Sequence, residues 1–267
     1  MASSTRQALA AAKEAVQPLL KSADLRFAEE LFTMGAAVAS SIQLRNLLSD
    51  PSGEPKVKQG ALKAVFGKSV SGDALNFAAT LAGLRWSKGS DLVQAFEQLG
   101  VYVVAQIAAK AGTLDQLENE IFDIRQVVDS DRELQAALSS RQASLDSKVA
   151  LVANLFKGKL QANAALLLRF AVIGSRHHKV SAVLEQFGKQ VSEVASRVVA
   201  TVTVAQALSA AQLKRLESAL SKNYGQALNL NVEIDPSIIG GVKVQVSGEI
   251  IDGSVANRLN QAKLQLA

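Results

Sequence analysis

The sequence contains no cysteine among its 267 residues, and aromatic residues make up only 4% of it. Without cysteine there can be no disulfide bond and no thiolate metal site, and a reducing compartment fits this composition. The two histidines, His177 and His178, are adjacent, so on a helix they would point about 100° apart and could not hold one ion together. We therefore expect neither a metal site nor a cofactor.

Long hydrophobic runs are also missing. No stretch reaches the ~18 uninterrupted apolar residues that a membrane-spanning helix needs. The segment Ala162–Gly174 comes nearest, but it is short and contains Arg169. The N-terminal residues mix charged and apolar side chains and so lack the apolar core of a signal peptide. We expect a soluble protein that does not insert into a membrane and reaches one only through partners.

Charge is nearly balanced, with 29 Lys and Arg against 24 Asp and Glu. The basic excess is spread along the chain, because residues 196–267 alone hold seven basic and five acidic side chains. Nucleic-acid-binding proteins usually concentrate positive charge on one face, so this class is disfavoured. A hydrophobic fraction of 48% predicts a folded core, and the abundance of Ala and Leu favours helix bundles.

Motifs that would carry catalysis are incomplete. The segment Gly67–Ser69 resembles the end of a phosphate-binding loop, but Leu62 stands where that motif needs a glycine. The segment Asp129–Asp131 resembles the start of a calcium loop, but Leu134 occupies the glycine position. We interpret the first as a helix C-terminus and the second as a helix cap. The only histidines are two adjacent residues, which disfavours a Ser-His-Asp triad. We therefore expect a non-catalytic protein that works by binding.

The strongest organisational signal is an internal repeat. When the sequence is aligned with itself at a shift of 90 residues, many positions of the first half carry the same residue as their counterparts. At a shift of 91, Arg85 aligns with Arg176 and Phe96 with Phe187. This pattern predicts a tandem duplication of a helical unit. The pairs at the 90-residue shift are Glu30/Glu120, Phe32/Phe122, Leu44/Leu134, Leu48/Leu138, Ser49/Ser139, Lys58/Lys148, Phe66/Phe156 and Ala74/Ala164.

Each copy carries apolar residues at the spacing i, i+4, i+7 and i+11, which is one face of a helix. A break, a short helix ending at Phe66 or Phe156, and two further helices follow. The residues of the two faces are Phe27, Leu31, Met34 and Val38, and Leu117, Ile121, Ile124 and Val128. Four Ser/Thr-x-x-Glu/Gln pairs predict capped helix starts, at Ser4–Gln7, Thr113–Gln116, Ser130–Glu133 and Ser209–Gln212.

Near Arg197 the apolar period changes from 3.6 to 2. Alternation predicts strands at Val198–Val204, Leu228–Ile234 and Val242–Val246, with a helix from Ser209 to about Tyr224. The turn Ser247–Gly248 then leads back into a strand at Glu249–Ile251. Asp252, Gly253 and Ser254 predict the cap of a last helix with the apolar stripe Val255, Leu259, Ala262 and Leu266.

The predicted fold class is therefore mainly α with a small α+β C-terminal module. Tandem helical bundles built from a duplicated unit of about 90 residues precede a β-α-β-β-β-α module. The predicted segments are residues 1–112 for the first helical repeat, 113–196 for the second and 197–267 for the module.

The end of the chain resembles the C-terminal signature of the ATP synthase delta subunit family, called oligomycin-sensitivity-conferring protein (OSCP) in mitochondria. That signature is an acidic-Pro-x-apolar-apolar-Gly-Gly-apolar stretch, followed by Gly-x-x-apolar-Asp-Gly-Ser-apolar-x-x-Arg-Leu. The matching residues are Asp235, Pro236, Ile238, Ile239, Gly240 and Gly241, then Gly248, Ile251, Asp252, Gly253, Ser254, Val255, Arg258 and Leu259. Most members of the family have one helical domain, and the duplication is similar to that of long-form bacterial members.

The resemblance implies a non-catalytic stator adaptor of the proton-translocating F-type ATP synthase. The helical region would hold N-terminal helices of the alpha subunits, and the C-terminal module would grip the peripheral-stalk b subunit. The location implied is the cytoplasmic face of the plasma membrane, as a peripheral part of the complex. Which helical copy meets the alpha subunits, and whether the copies exchange helices, stays open. The alternative is a free-standing helical scaffold or regulatory binding protein with the same terminal module.

Two sets of residues follow from the signature. The first set suits turns, tight backbone and helix caps, and we interpret it mainly as fold-forming: Asp235, Pro236, Ile239, Gly240, Gly241, Gly248, Asp252, Gly253 and Ser254. The second set is the predicted b-subunit surface on the last helix. It consists of Val255, Leu259 and Leu266, with Arg258 and Lys263 at the rim.

Overall fold

The computed structural model describes residues 3–175, 178–194, 198–206, 208–224, 228–235, 238, 240–246 and 249–252. Contacts between residues divide the chain into two compact units, Met1–Val191 and Ser192–Ala267. The first unit is helical and contains both copies of the repeat, and the second is α+β. The predicted fold class is confirmed, while the segment boundaries at residues 112 and 196 stay predictions.

Eleven helices run through the helical part of the described chain, with a short 3-10 turn (Leu19–Lys21) after the first. They are α1 (Ser3–Val16), α2 (Leu25–Ser40), α3 (Ile42–Ser49), α4 (Pro55–Phe66), α5 (Gly72–Gly83), α6 (Gly89–Lys110), α7 (Leu114–Ser130), α8 (Arg132–Ser139), α9 (Leu145–Leu155), α10 (Ala162–Gly174) and α11 (Val180–Val194). The starts of α3, α4 and α5 lie 90 residues before those of α8, α9 and α10, and α6 starts 91 residues before α11. The duplication, with its one-residue slip, is therefore present in the secondary structure.

A shared hydrogen-bonding arrangement also relates the two copies. In the first copy the buried Glu30 carboxylate accepts from the Ser71 hydroxyl at 2.6 Å, and Ser71 is the N-cap of α5. In the second copy the Glu120 carboxylate accepts from the backbone N–H of Gln161, the N-cap of α10, at 3.1 Å. Each carboxylate thus lies at the positive end of a helix dipole, which is where a negative charge is stabilised.

The predicted apolar faces of α2 and α7 are buried. All eight residues of the two faces are at most 6% exposed, and they are Phe27, Leu31, Met34, Val38, Leu117, Ile121, Ile124 and Val128. Packing of one apolar stripe against the core is the main source of stability for helices of this length. The helical period therefore identified the core side of both helices correctly.

One of the four predicted capping boxes is confirmed. The Ser209 hydroxyl accepts from the Gln212 N–H at 3.3 Å, and the Gln212 side chain accepts from the Ser209 N–H at 2.8 Å. Ser4 was predicted to begin the first helix, but it lies inside α1, which already includes Ser3, and its hydroxyl meets Ser87. Thr113 precedes α7 without a side-chain cap, because its hydroxyl turns back to the Ala108 carbonyl.

The box predicted at Ser130 was wrong by one residue, because α7 continues through Ser130 and Asp131 caps α8. The Asp131 carboxylate accepts from the N–H groups of Glu133 and Leu134 at 2.9 and 3.0 Å. We expect Asp131→Ala to lower the free energy of unfolding by about 1 kcal/mol. Ser130→Ala removes only a bond to its own helix and should leave stability nearly unchanged. Urea denaturation followed by circular dichroism compares the two, and equal losses would contradict this assignment.

Helix α6 lies in the core of the helical unit and crosses α2 closely. A Cβ at Gly35 would lie 2.7 Å from the Phe96 Cβ, and one at Gly100 would lie 2.8 Å from the Phe32 ring, so only glycine permits this approach. By length and composition alone α6 could also cross a membrane, but 61% of its most apolar 18-residue window is buried inside the bundle. Core helices of soluble proteins pass the same test, so this is weak evidence for a span.

Aromatic stacking joins the two copies. Phe32 on α2 stacks on Phe170 of α10 with ring centroids 4.5 Å apart. The ring centroid of Phe187 on α11 lies 6.1 Å from that of Phe32. Beside them, Arg169 donates to the Glu29 carboxylate at 2.6 Å. All three rings are at most 4% exposed. The first copy thus contributes its second helix to a core that it shares with the second copy.

The second unit is a four-stranded sheet with a helix. Strand β1 (Val198–Val204) is followed by α12 (Ala210–Tyr224), β2 (Leu228–Ile234), β3 (Val242–Val246) and β4 (Glu249–Asp252). The strand order is β2-β1-β3-β4; β1 pairs parallel with β2 and antiparallel with β3, which pairs antiparallel with β4. The core is formed by Ala200, Val202, Val204, Leu220, Leu228, Val244 and Val246.

The four predicted strands and the intervening helix are confirmed, and the pairing of Val246 with Glu249 is that of the predicted hairpin. Burial along β2 was overestimated, because Leu228 is fully buried but Ile234, predicted to alternate inward with it, is 57% exposed. Ile234 is the last residue of β2, which is an edge strand with one neighbour. The predicted last helix lies outside the described residues.

Candidate partner-binding site

Helices α4 and α9 pack differently although they occupy corresponding positions in the two copies. In the first copy, α4 buries Lys58, Leu62 and Phe66. At the same positions of the second copy, α9 buries only Val152, while Lys148 and Phe156 are half-buried. Apolar side chains on the outside of α9 are also left uncovered: Leu145 is 46% exposed, and Leu151 and Leu155 are each 39% exposed. The outside of α4 also exposes apolar side chains, at Val57 and Val65, so the difference between the copies lies at the inward positions, where α9 is packed less tightly.

An apolar groove of about 430 Å³ lies beside this loosely packed helix. Its walls come from α9, from α10 and from the start of α2, and its apolar lining includes Leu25, Val149, Val152, Phe156, Leu160 and Leu166. The charged residues at the groove are Glu29, Lys157 and Arg169. The first and last of these bind each other, whereas Lys157 is exposed. Grooves of this kind bind the apolar face of an amphipathic helix.

In the first part of the signature, the residues that the structure describes lie in the connection from β2 to β3. The N–H of Asp235 donates to the Val204 carbonyl at 2.9 Å, and the Ile238 N–H donates to the Asp235 carbonyl at 3.2 Å. Gly240 and Gly241 have φ angles of 102° and 90°, a region in which an L side chain is strained. Here the two glycines let the chain turn into β3.

Asp252 is the last residue of β4. Several other predicted residues lie outside the described residues, so their roles stay predictions. From the signature these are Pro236, Ile239, Gly248, Gly253 and Ser254. From the predicted b-subunit surface they are Val255, Arg258, Leu259, Lys263 and Leu266. Within the part of the chain that the structure describes, no group of three or more His, Cys, Asp or Glu comes together to hold a metal ion.

The groove could not be found from the sequence pattern. At each of the key positions 58/148 and 66/156 the two copies carry the same residue type, and only packing separates them. The two helices do differ at positions 61 and 151, which are Ala on α4 and Leu on α9, but Leu151 does not line the groove.

Comparison with known proteins gives concordant matches. Residues 102–266 match the family model described as ATP synthase delta (OSCP) subunit. Three curated proteins called ATP synthase subunit delta match the whole of this chain. The protein of Leifsonia xyli is 40% identical over its full length, that of Pseudarthrobacter chlorophenolicus 37% over its full length, and that of Streptomyces coelicolor 36% over 98% of its length.

Among solved structures, a chain of the Toxoplasma gondii mitochondrial ATP synthase hexamer matches with a TM-score of 0.38 and 18% identity. The match covers 64% of this chain and 96% of that one. A similarity of this size supports no conclusion about function.

Proposed function

This chain belongs to the ATP synthase delta (OSCP) subunit family, and we propose that it is the non-catalytic stator adaptor between the catalytic head and the peripheral stalk of the enzyme. The observation that carries the proposal is the match of 36–40% identity with curated delta subunits over the whole chain. The family model begins at residue 102, so it spans the second copy and the C-terminal unit. The relatives extend over the first copy as well.

An adaptor of this kind must stay bound while the rotor turns, which requires slow dissociation. Nanomolar affinity corresponds to about 12 kcal/mol, whereas an exposed salt bridge contributes only about 0–1 kcal/mol. Contacts through buried apolar surface are therefore needed. The groove between α9 and α10 supplies such a surface, and we assign to it an N-terminal helix of an alpha subunit, with the apolar face of that helix against Val149, Phe156 and Leu166.

The b subunit is assigned to the C-terminal unit. The proposed contact is the last helix, through Val255, Leu259 and Leu266, with Arg258 and Lys263 at the rim. An apolar stripe flanked by two cations suits an amphipathic helix end with acidic flanks. Bound in this way to alpha and b, the protein would lie at the cytoplasmic face of the plasma membrane and would be held there by its partners.

Co-purification tests the adaptor role. An affinity-tagged chain, expressed in its own organism and recovered from detergent-solubilised membranes, should bring alpha, beta and b subunits with it at fixed stoichiometry. A free-standing scaffold or regulator would be recovered without them. Recovery without alpha or b would therefore reject the adaptor role in favour of that alternative.

The groove assignment has its own matched pair of variants. Ala153 on α9 is exposed and lines the groove, and Ala64 on α4 is exposed away from it; each stands two residues before the end of its helix. Ala153→Glu would place a carboxylate against the apolar face of the bound helix. We expect it to weaken binding of an alpha N-terminal peptide by about 30-fold, or ~2 kcal/mol.

Ala64→Glu makes the same change on the first copy and should alter the affinity by less than about twofold, since surface substitutions have small effects. Fluorescence anisotropy of the labelled peptide with the full chain measures both variants. If Ala153→Glu binds like the unchanged protein, or if both variants lose affinity equally, the alpha helix is not in this groove.

A further inference from the structure

A second cavity, of about 670 Å³, lies at the opposite end of α9 from the apolar groove. It is open to solvent and is bordered by the ends of α2, α8 and α10 and by the segments that lead into α9 and α11. The basic side chains that line it are Arg141, Lys148, His178 and Lys179, with Ser139 and Ser140 beside them. None of the described residues that line it is Asp or Glu. It is therefore a cationic cavity without a carboxylate of its own.

The equivalent place in the first copy shows a lysine whose charge is compensated by neighbouring groups. Lys58, the counterpart of Lys148, is only 5% exposed, and its ammonium group donates to the Ala82 carbonyl at 2.7 Å, near the end of α5. Burial lowers the pKa of Lys58, and the charge of Asp50 nearby acts in the opposite direction. In the first copy, then, one lysine has a carbonyl and a carboxylate to compensate its burial.

In the second copy Lys148 is half-buried and has neither of these partners among the described residues. Ser140 stands where the first copy has Asp50. Val172 is the counterpart of Ala82, and its carbonyl accepts from the Ser175 hydroxyl at 2.8 Å. None of the ion pairs among the described residues includes Arg141, Lys148 or Lys179. Divergence has thus left Lys148 without the counter-charge that Lys58 has. It has also added Arg141 and His178 where the first copy has Pro51 and Ser87, whereas Lys179 corresponds to Lys88.

We propose that this cavity binds a phosphate group, either as inorganic phosphate or as part of a nucleotide. Like charges held together around a cavity attract an oxyanion, because the anion relieves their mutual repulsion. The Arg141 guanidinium can donate two parallel hydrogen bonds to a phosphate, and Lys148 and Lys179 add point charges. A volume of about 670 Å³ lies within the range of small-molecule sites and leaves room for a nucleoside. The bound phosphate would connect the α8–α9 segment with the start of α11.

The first copy also supplies a specific variant for the test. Asp50 accepts from the Ser52 N–H at 2.8 Å, and Ser140 accepts from the Gln142 N–H at 3.3 Å, so the two side chains serve equivalent turns. Ser140→Asp should therefore preserve the turn while it introduces the carboxylate of the first copy. Arg141→Gln removes one cation from an exposed position and does not disturb a buried group.

Isothermal titration calorimetry of the full chain at low ionic strength, with inorganic phosphate and with ATP in the absence of divalent cations, tests the site. We expect saturable binding of one equivalent of at least one of the two, with a Kd of about 1 mM or lower. Ser140→Asp and Arg141→Gln should each weaken it by about tenfold or more. Lys63→Gln removes a charge from the exposed surface of α4 and should change it by less than about twofold.

The affinities for the two ligands distinguish a nucleotide site from a site for inorganic phosphate. ATP binding at least tenfold tighter than inorganic phosphate would identify a nucleotide site, and similar affinities would identify a site for the phosphate group alone. Absence of saturable binding of both ligands overturns the proposal. So does an equal loss in Lys63→Gln and Arg141→Gln, because binding would then follow net charge. Circular dichroism confirms that each variant is folded.

Discussion

Replacing Phe32 with alanine is expected to lower the free energy of unfolding of the helical unit by about 3–5 kcal/mol, the usual cost of removing a buried phenylalanine. The Phe32 ring is 2% exposed, and its centroid lies 4.5 Å from that of Phe170 and 6.1 Å from that of Phe187. It also fills the close approach at Gly100. The cavity left by Phe32→Ala would therefore open in the core that the two copies share, where neither copy can collapse without moving the other.

The duplication provides the control for this prediction. Phe122 occupies the same position of the second copy, but it is half-buried and has the Arg125 guanidinium 5.4 Å from its ring centre. Because less of its surface leaves water on folding, Phe122→Ala should cost less than about 2 kcal/mol. Urea denaturation followed by circular dichroism compares the variants. Equal losses in the two variants would show that the aromatic junction is not a main source of stability.

The same pair of residues shows where sequence reasoning stops. The coincidence of Phe32 with Phe122 correctly indicated a duplication, and the apolar period correctly indicated which side of α2 and α7 faces the core. Period and identity are properties of one helix, however. Whether a given phenylalanine contacts the other copy or the solvent depends on how the two copies pack against each other. This is a tertiary property, and it cannot be deduced from two local sequences that match.

Helix boundaries show a related limit at the level of one residue. Ser130 and Asp131 are both good capping residues, and the Glu at position 133 made the Ser130 box look complete. The structure uses Asp131, whose carboxylate satisfies two N–H groups, whereas Ser130 remains in the last turn of α7. The α+β unit was predicted more accurately, because alternation has a period of 2 and a slip of one residue would have moved every valine of β1 and β3 to the other face.

A chain that begins at Thr113, the predicted start of the second repeat, is expected not to reach a native fold, whereas one that begins at Gly89 should fold. The difference between them is α6. This helix contacts α7 and α10 of the second copy as well as α2 and α3 of the first. Its C-terminal half is buried at Val101, Val103, Val104, Ala105 and Ala108. Removing these contacts would uncover apolar surface on α7 and α10, which lowers the free energy of unfolding in proportion to the area exposed.

The start of the family match at residue 102, within α6, gives an independent reason for this expectation. The spacing of the repeat gives a second reason, because α6 corresponds to two helices. It starts 91 residues before α11, and its residues 93–106 lie 90 residues after the residues of α1. One helix therefore stands where a complete duplication would need two, the last of the first copy and the first of the second.

Thermal unfolding and proton NMR dispersion of residues 89–267 and 113–267 decide the matter. Cooperative unfolding and dispersed spectra are expected only for the longer chain. If residues 113–267 fold equally well, the second copy is complete without α6, and the two copies are joined in series and do not share a helix. If neither chain folds, the stacking of Phe170 and Phe187 on Phe32 is itself required for folding. The duplicated region is then one cooperative unit, and neither copy can act as a separate adaptor domain.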